Sequence, residues 1–334
     1  MKIIYHCWGG SHSSVVCAAI HLGRLPRDRV PTAAELRALP EFDRQTKRDH
    51  GRMFHMGRDE RGNDVYFLGR RSNGAVVDRI LPGMVEVFGL NRDEIITKNT
   101  SPYVNPLMVI GGTLSRALGL VRPGRAIVTL GACLAYRKLC RAVEEVQRRA
   151  AARQDERGLR LCPDRAGAEE DGAAREPPFF VFYHCYGSAH ASVVAAGIHL
   201  GLLPSDARPQ PAAIAALPHY DRTTVDLIGT PFRIGVDERG RVVCIVGMVR
   251  GMRVIRRAVR CLLHAFGLPQ ERLLFVDCLP LVNLRMRVGG FLSRQLGLVR
   301  LGRPLTISGV LANYERFCRA VARVRGWLRR IDGR

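Results

Sequence analysis

Apolar and polar positions along the chain follow two rhythms, one of strands and one of helices. Residues 2–7, Lys-Ile-Ile-Tyr-His-Cys, form an apolar, β-branched run suited to a central strand. Over residues 12–23 the spacing turns helical, with Val15, Val16, Ala19 and Leu22 on one face and Gly23 as a stop. Thr32-Ala33-Ala34-Glu35 reads as a capping box opening a short helix that ends before Pro40. Residues 52–57 and 64–69 predict a hairpin around Asp59-Glu60-Arg61-Gly62. A helix at about 75–88 and a strand at 93–97 come next, then a loop holding Pro102 and Pro106. A helix around 107–118, a strand at 125–130 and a helix at 133–149 complete the set. Such alternation predicts a three-layer α/β domain, with a mostly parallel sheet and a β-hairpin insertion.

The whole pattern occurs twice. Shifted by 178 positions, Tyr5-His6-Cys7 falls on Tyr183-His184-Cys185, Asp59-Glu60-Arg61-Gly62 on Asp237-Glu238-Arg239-Gly240, and Gly111-Gly112 on Gly289-Gly290. One offset serves from Tyr5 to Val143 without a gap, so the chain is two tandem copies of one domain, at a period far beyond solenoid repeats. We place copy one at 1–146 and copy two at 179–330. Residues 147–178, which end in Pro177-Pro178, read as a polar linker whose first part continues the preceding helix. Duplicated domains suggest packing about a pseudo-two-fold.

Composition narrows the class. Hydrophobic residues at 47% and charged ones at 25% are those of an ordinary globular protein. No apolar stretch approaches a membrane span, and the N-terminus has no signal-peptide pattern, so a cytoplasmic location is expected. The ten Cys include no CxxC pair and read as free thiols, not a disulfide framework. The net charge of +22 suggests anionic partners. Its Arg are scattered without aromatic interleaving, which disfavours nucleic acid relative to a small anionic ligand.

The chemistry concentrates in the loop after the first strand. Gly9 and Gly10, followed by Ser13 and Ser14 at a helix start, suit anion binding by backbone N–H groups and hydroxyls. Gly187, Ser188, His190 and Ser192 repeat the arrangement in copy two. The P-loop spacing and its Lys are absent, and a bare capped turn would look the same. Cys7 and Cys185 stand where a helix N-terminus favours thiolate, a layout like the phosphate loop of cysteine phosphatases. The Arg expected six residues on is replaced by Ser13 and Ala191, and Cys7 could equally be a small buried residue at a strand end. His12 with Asp49 and His50 are candidate acid/base groups, and Arg116 after the two glycines is a candidate ligand contact. His6, Cys7, His12, Asp49, His50 and His55 match no metal spacing, so no metal site is assigned. Copy two holds Leu227-Ile228 in place of Asp49-His50, and Met248-Val249 in place of Arg70-Arg71, so its site reads as degenerate.

The stretches 4–14, 18–23, 49–51, 57–63 and 111–116 resemble the bacterial family catalogued as domain of unknown function 3189, whose members are about the length of one copy. The resemblance brings no mechanism. Two functions remain open at this point. One is a phosphate-handling enzyme or nucleotide-dependent switch using the copy-one loop, with its cofactor unknown. The other is a non-catalytic binding or scaffold protein.

Overall fold

The structure, a computed structural model, describes residues 1–160 and 178–332. In copy one, strand β1 (Lys2–Cys7) leads into helix α1 (Ser13–His21). Helix α2 (Ala33–Ala38) starts at the expected capping box, with Thr32 accepting from the Glu35 N–H and the Glu35 carboxylate accepting from the Thr32 N–H. Strands β2 (Met53–Arg58) and β3 (Asp64–Gly69) form the hairpin, and helix α3 (Gly74–Val87) follows. Strand β4 (Ile95–Asn99) precedes the short helix α4 (Pro106–Gly112), a turn of π-helix (Thr113–Ala117) and the long helix α5 (Val121–Arg160).

The sheet order is β2-β3-β1-β4. Strand β1 pairs in parallel with both β3 and β4, while β2 joins antiparallel through the hairpin. Side chains of β1 alternate across the sheet. Ile3 and Tyr5 enter a core with Val15, Val16 and Ile20 of α1 and with Val128, Tyr136, Leu139 and Val143 of α5. His6 points to the other face, where its imidazole meets Asp78 of α3.

The strand expected at 125–130 does not exist: these residues lie inside α5. Ile127-Val128-Thr129 invited the strand reading as a short β-branched apolar run. The wider burial pattern decides otherwise, since Val128, Ala132, Ala135, Leu139 and Val143 are buried at helical spacing. The expected helix at 107–118 is divided into α4 and the π-turn. Residues 147–160 continue α5, and the rest of the expected linker, 161–177, lies outside the described residues.

Helices α4 and α5 approach closely through glycine. A Cβ on Gly111 would fall 2.7 Å from the Gly124 carbonyl oxygen, and one on Gly131 would fall 2.9 Å from the Asn105 side-chain oxygen. Asn105 also caps α4 through the Met108 N–H and donates to the Gly131 carbonyl at 2.8 Å.

Copy two repeats the plan with β5 (Phe180–Cys185), α6 (Ala191–His199), α7 (Pro211–Ala216), β6 (Phe232–Val236), β7 (Val242–Gly247), α8 (Met252–Ala265) and β8 (Leu273–Asp277). Helices α9 (Leu284–Arg294), α10 (Val299–Ala312) and α11 (Tyr314–Asp332) follow, and the sheet order is β6-β7-β5-β8. Gly289, Gly302 and Gly309 make the same helix crossing, and Asn283 donates to the Gly309 carbonyl at 2.7 Å. The described residues form two compact units, 1–160 with 253–267 and 178–252 with 268–332. Among the described residues no helix is long and apolar enough to cross a membrane, and the nine described cysteines are all free.

Candidate functional site

Parallel strands β3, β1 and β4 end side by side, at Gly69, Cys7 and Asn99. Ligands of such sheets bind beyond this edge. In copy one the loops leaving it, together with α4, enclose a cavity of about 530 Å³. Its wall carries Cys7, Gly9, His12 and Ser13 from the first loop, and Lys47 and His50 from the segment before β2. Arg70 follows β3, and Arg116 lies in the π-turn after α4. Trp8, Val104, Met108 and Val109 supply an apolar part. Among the described residues lining it there is no Asp or Glu.

Cys7 sits beneath the start of α1. Its sulfur accepts from the Gly10 N–H at 3.1 Å and lies 3.2 Å from the Ser14 hydroxyl. Burial pushes the thiol up, but hydrogen bonds from the Ser14 hydroxyl and N–H, from Gly10 and from Ser13 outweigh it and hold Cys7 below the ordinary thiol value. Gly10 has φ +70°, and a Cβ there would lie 2.5 Å from the Gly69 nitrogen. This glycine lets the loop lie on β3 and is not the ligand contact that its place in the loop suggests.

Asp43 organises the wall around His12. Its side chain has no exposed surface. Its carboxylate accepts from His12 Nε2 at 3.0 Å, the Ser115 hydroxyl at 2.6 Å and Arg125 Nε at 3.1 Å, and it forms an ion pair with Arg116, whose Nε lies 3.1 Å away and donates to the Ser115 hydroxyl. Burial pushes the Asp43 carboxyl up, yet the bonds from His12 and Ser115 and the charges of His12 and Arg116 hold it below the usual range. An ionised carboxylate only accepts, so the His12 proton resides on Nε2. Arg116 is thus tied to Asp43 as well as lining the cavity.

A second network lies under the cavity floor. Arg70, only 6% exposed, donates from Nε to His6 Nδ1 at 3.2 Å, and His6 Nε2 therefore donates to Asp78 at 2.7 Å. The Arg70 terminal nitrogens reach Asn99 at 2.9 Å, the Ser101 hydroxyl at 2.8 Å and the Arg71 carbonyl. Burial lowers the Arg70 pKa, against which Cys7 and Asp78 act to raise it. His50 packs edge-on against Trp8, with ring centroids 5.3 Å apart. Burial, and then the charge of Arg71, hold its imidazole below the ordinary value.

The structure brings Cys7, Gly9, His12, Ser13, His50 and Arg116 to one cavity. Ser14 lies buried behind the thiol. Asp49 is not in the wall: its carboxylate accepts from the N–H and hydroxyl of Thr46, both at 2.8 Å, and closes a turn. His21 is buried between Tyr5, at 2.8 Å, and Asp59, at 3.0 Å. Among the described residues no group of three or more His, Cys, Asp or Glu could hold a metal ion.

In copy two, Cys185 keeps the Ser188 N–H and the Ser192 hydroxyl, each at 3.2 Å, and His190 keeps Asp221 at 3.1 Å. Ser188 holds the Gly10 conformation with φ 60°. The cations differ: Lys47, His50 and Arg70 correspond to Val225, Ile228 and Met248. Ile228 lies over Gly187 and Gly247.

Asp43 and Arg70 are absent from the sequence-derived site. Asp43 recurs as Asp221 at the common offset, and that recurrence was its only signal. Arg70 follows the strand that pairs with β1, so its place beside Cys7 emerges only with the strand order.

No curated protein and no solved structure matches the chain. The family model described as protein of unknown function (DUF3189) matches residues 2–148 and again 180–326. Together the two matches span most of the sequence, at the offset that superposes the two loops. The chain therefore belongs to that family, as two tandem members in one polypeptide.

Proposed function

We propose that copy one binds a small ligand carrying a phosphoryl or comparable doubly charged anionic group. The observation that carries this reading is the composition of the cavity wall. Lys47, Arg70, Arg116, His12 and His50 face one space with no carboxylate among the described lining residues. Burial disfavours the charged Arg70 guanidinium more than Cys7 and Asp78 favour it, and a bound anion would offset the remaining cost. The N-terminus of α1 adds N–H groups of favourable polarity. Trp8, Val104 and Met108 suit an organic body attached to the anionic group. The volume is within the range of small-molecule pockets, roughly 300–1,000 Å³.

The test is thermal shift of the full chain with orthophosphate, sulfate and nucleoside phosphates at fixed ionic strength. Stabilisation by at least one of these is expected. Arg70→Met, which installs the copy-two residue, is expected to lower the affinity read from that stabilisation at least about tenfold, since a hydrogen bond to a charged group contributes about 1.5–3 kcal/mol. Equal stabilisation of wild type and Arg70→Met would overturn the assignment of the cavity.

A further inference from the structure

Resting on the reading of the cavity as an anion site, we infer that copy one is a phosphoryl-transfer centre in which the Cys7 sulfur is the nucleophile and His12 the proton carrier, acting on phosphomonoesters.

The geometry assembles the parts in one place. Cys7 lies in the cavity wall, at the end of β1, with its sulfur turned toward the Gly10 N–H and the Ser14 hydroxyl. Those donors favour thiolate, the reactive form. Arg70 reaches the same wall from the neighbouring parallel strand. It stands in for the arginine that the loop itself lacks, Ser13 occupying that position. Arg116 and Lys47 bring further positive charge to the wall. Phosphoryl transfer needs this pattern, because charge on the non-bridging oxygens must be met by fixed donors. His12 is held by Asp43 through Nε2, which leaves Nδ1 to exchange protons.

The chemistry closes without a further reactant. The Cys7 thiolate attacks phosphorus, an S–P bond forms, and the P–O bond to the alcohol breaks. The leaving oxygen takes a proton from Nδ1 of the His12 imidazolium and departs as the alcohol. Water then attacks phosphorus and gives its proton to His12 while the S–P bond breaks. Orthophosphate leaves, and the thiolate and imidazolium are restored. No change of oxidation state occurs.

Copy two supplies an internal control. Cys185 has equivalent sulfur contacts from Ser188 and Ser192, but Met248 and Ile228 replace Arg70 and His50. Thiol geometry alone would make the two cysteines equally reactive; the inference makes only Cys7 a phosphoryl acceptor.

The decisive experiment follows loss of ¹⁸O label from orthophosphate into water, by phosphorus NMR, with the full-length chain. This exchange needs S–P bond formation and hydrolysis but no particular alcohol. Exchange is expected in wild type and in Cys185→Ser, and a loss of at least about 1,000-fold is expected in Cys7→Ser, as for removal of other nucleophiles. Protection of Cys7 from iodoacetate by orthophosphate is measured in parallel by mass spectrometry. Protection without exchange overturns the nucleophile and leaves the anion site standing. Neither protection nor thermal stabilisation by orthophosphate overturns the anion site itself. Exchange persisting in Cys7→Ser overturns the role of this sulfur.

Discussion

The Asp43 hub gives the most direct energetic prediction. Asp43→Asn keeps side-chain shape and tolerates the left-handed backbone found there, with φ 56°. It removes the charge and leaves one acceptor oxygen where there were two. In the wild type, Oδ1 serves His12 and Arg116, and Oδ2 serves Ser115 and Arg125. About two charged hydrogen bonds are lost, each contributing about 1.5–3 kcal/mol. Arg116 and Arg125 are partly solvated, at 25% and 36% exposure, so water recovers some of this. The net cost is about 3 kcal/mol, at the lower edge of the range for breaking a buried ion pair. For a domain of this size that lowers a calorimetric midpoint by roughly 6–12 °C. The carboxyl is held below its ordinary value, so its contribution is full above the unfolded pKa of 3.8 and fades as pH falls through the lower folded value. The gap between wild type and variant should therefore be constant from neutrality to about pH 4 and narrow below it. Asp221→Asn should cost somewhat less, because His190, Ser293 and Arg303 bond the Asp221 carboxylate, but Arg294 lies 3.8 Å from it and donates to the Asp221 backbone carbonyl. A shift under about 2 °C, or a gap that widens in acid, would refute the reasoning.

Gly10→Val should unfold copy one or sharply reduce its stability, by about 3 kcal/mol or more, because its Cβ meets the Gly69 backbone. Gly10→Ser, the residue copy two carries in the same conformation, should cost less, and urea denaturation of the two variants would show the order. His21 and His199 are held below the ordinary imidazole value mainly by burial, opposed by the bonds to Asp59 and Asp237. The folded state therefore binds fewer protons than the unfolded one, so stability should fall as pH drops from about 6.5 toward the folded pKa values. Nuclear magnetic resonance titration should find both rings protonating below the ordinary imidazole range, and protonation of either at neutral pH would contradict this.

Much of the framework is legible from residue pattern. Lys2–Cys7, the hairpin and the Thr32 capping box carry local signals of strand, turn and helix start, and each forms where those signals lie. Residues 125–130 misled because a six-residue window does not separate a buried helix from a strand. The helical spacing of Val128, Ala132, Ala135 and Leu139 extends well beyond it. The loop chemistry was visible because strand, glycines and serines are adjacent in sequence. The groups joined only by folding were not. Arg70 comes from a neighbouring strand end, and Asp43 reaches His12 from a loop 31 residues away. Asp49 stands beside His50 in sequence as a candidate acid/base group, but its short side chain finds Thr46 first.

The glycine crossing of α4 and α5 has a consequence for finding distant relatives. Asn105, Gly111, Gly124 and Gly131 are held in register by backbone contact, and Asn283, Gly289, Gly302 and Gly309 repeat their spacing. A larger residue at any of these glycines would push the cavity wall off its support, whatever ligand the cavity holds. The spacing is thus a fingerprint of the scaffold, and the cations of the cavity are a separate one. A genome scan that scored the two independently would sort relatives into those that keep only the frame and those that also keep the charge.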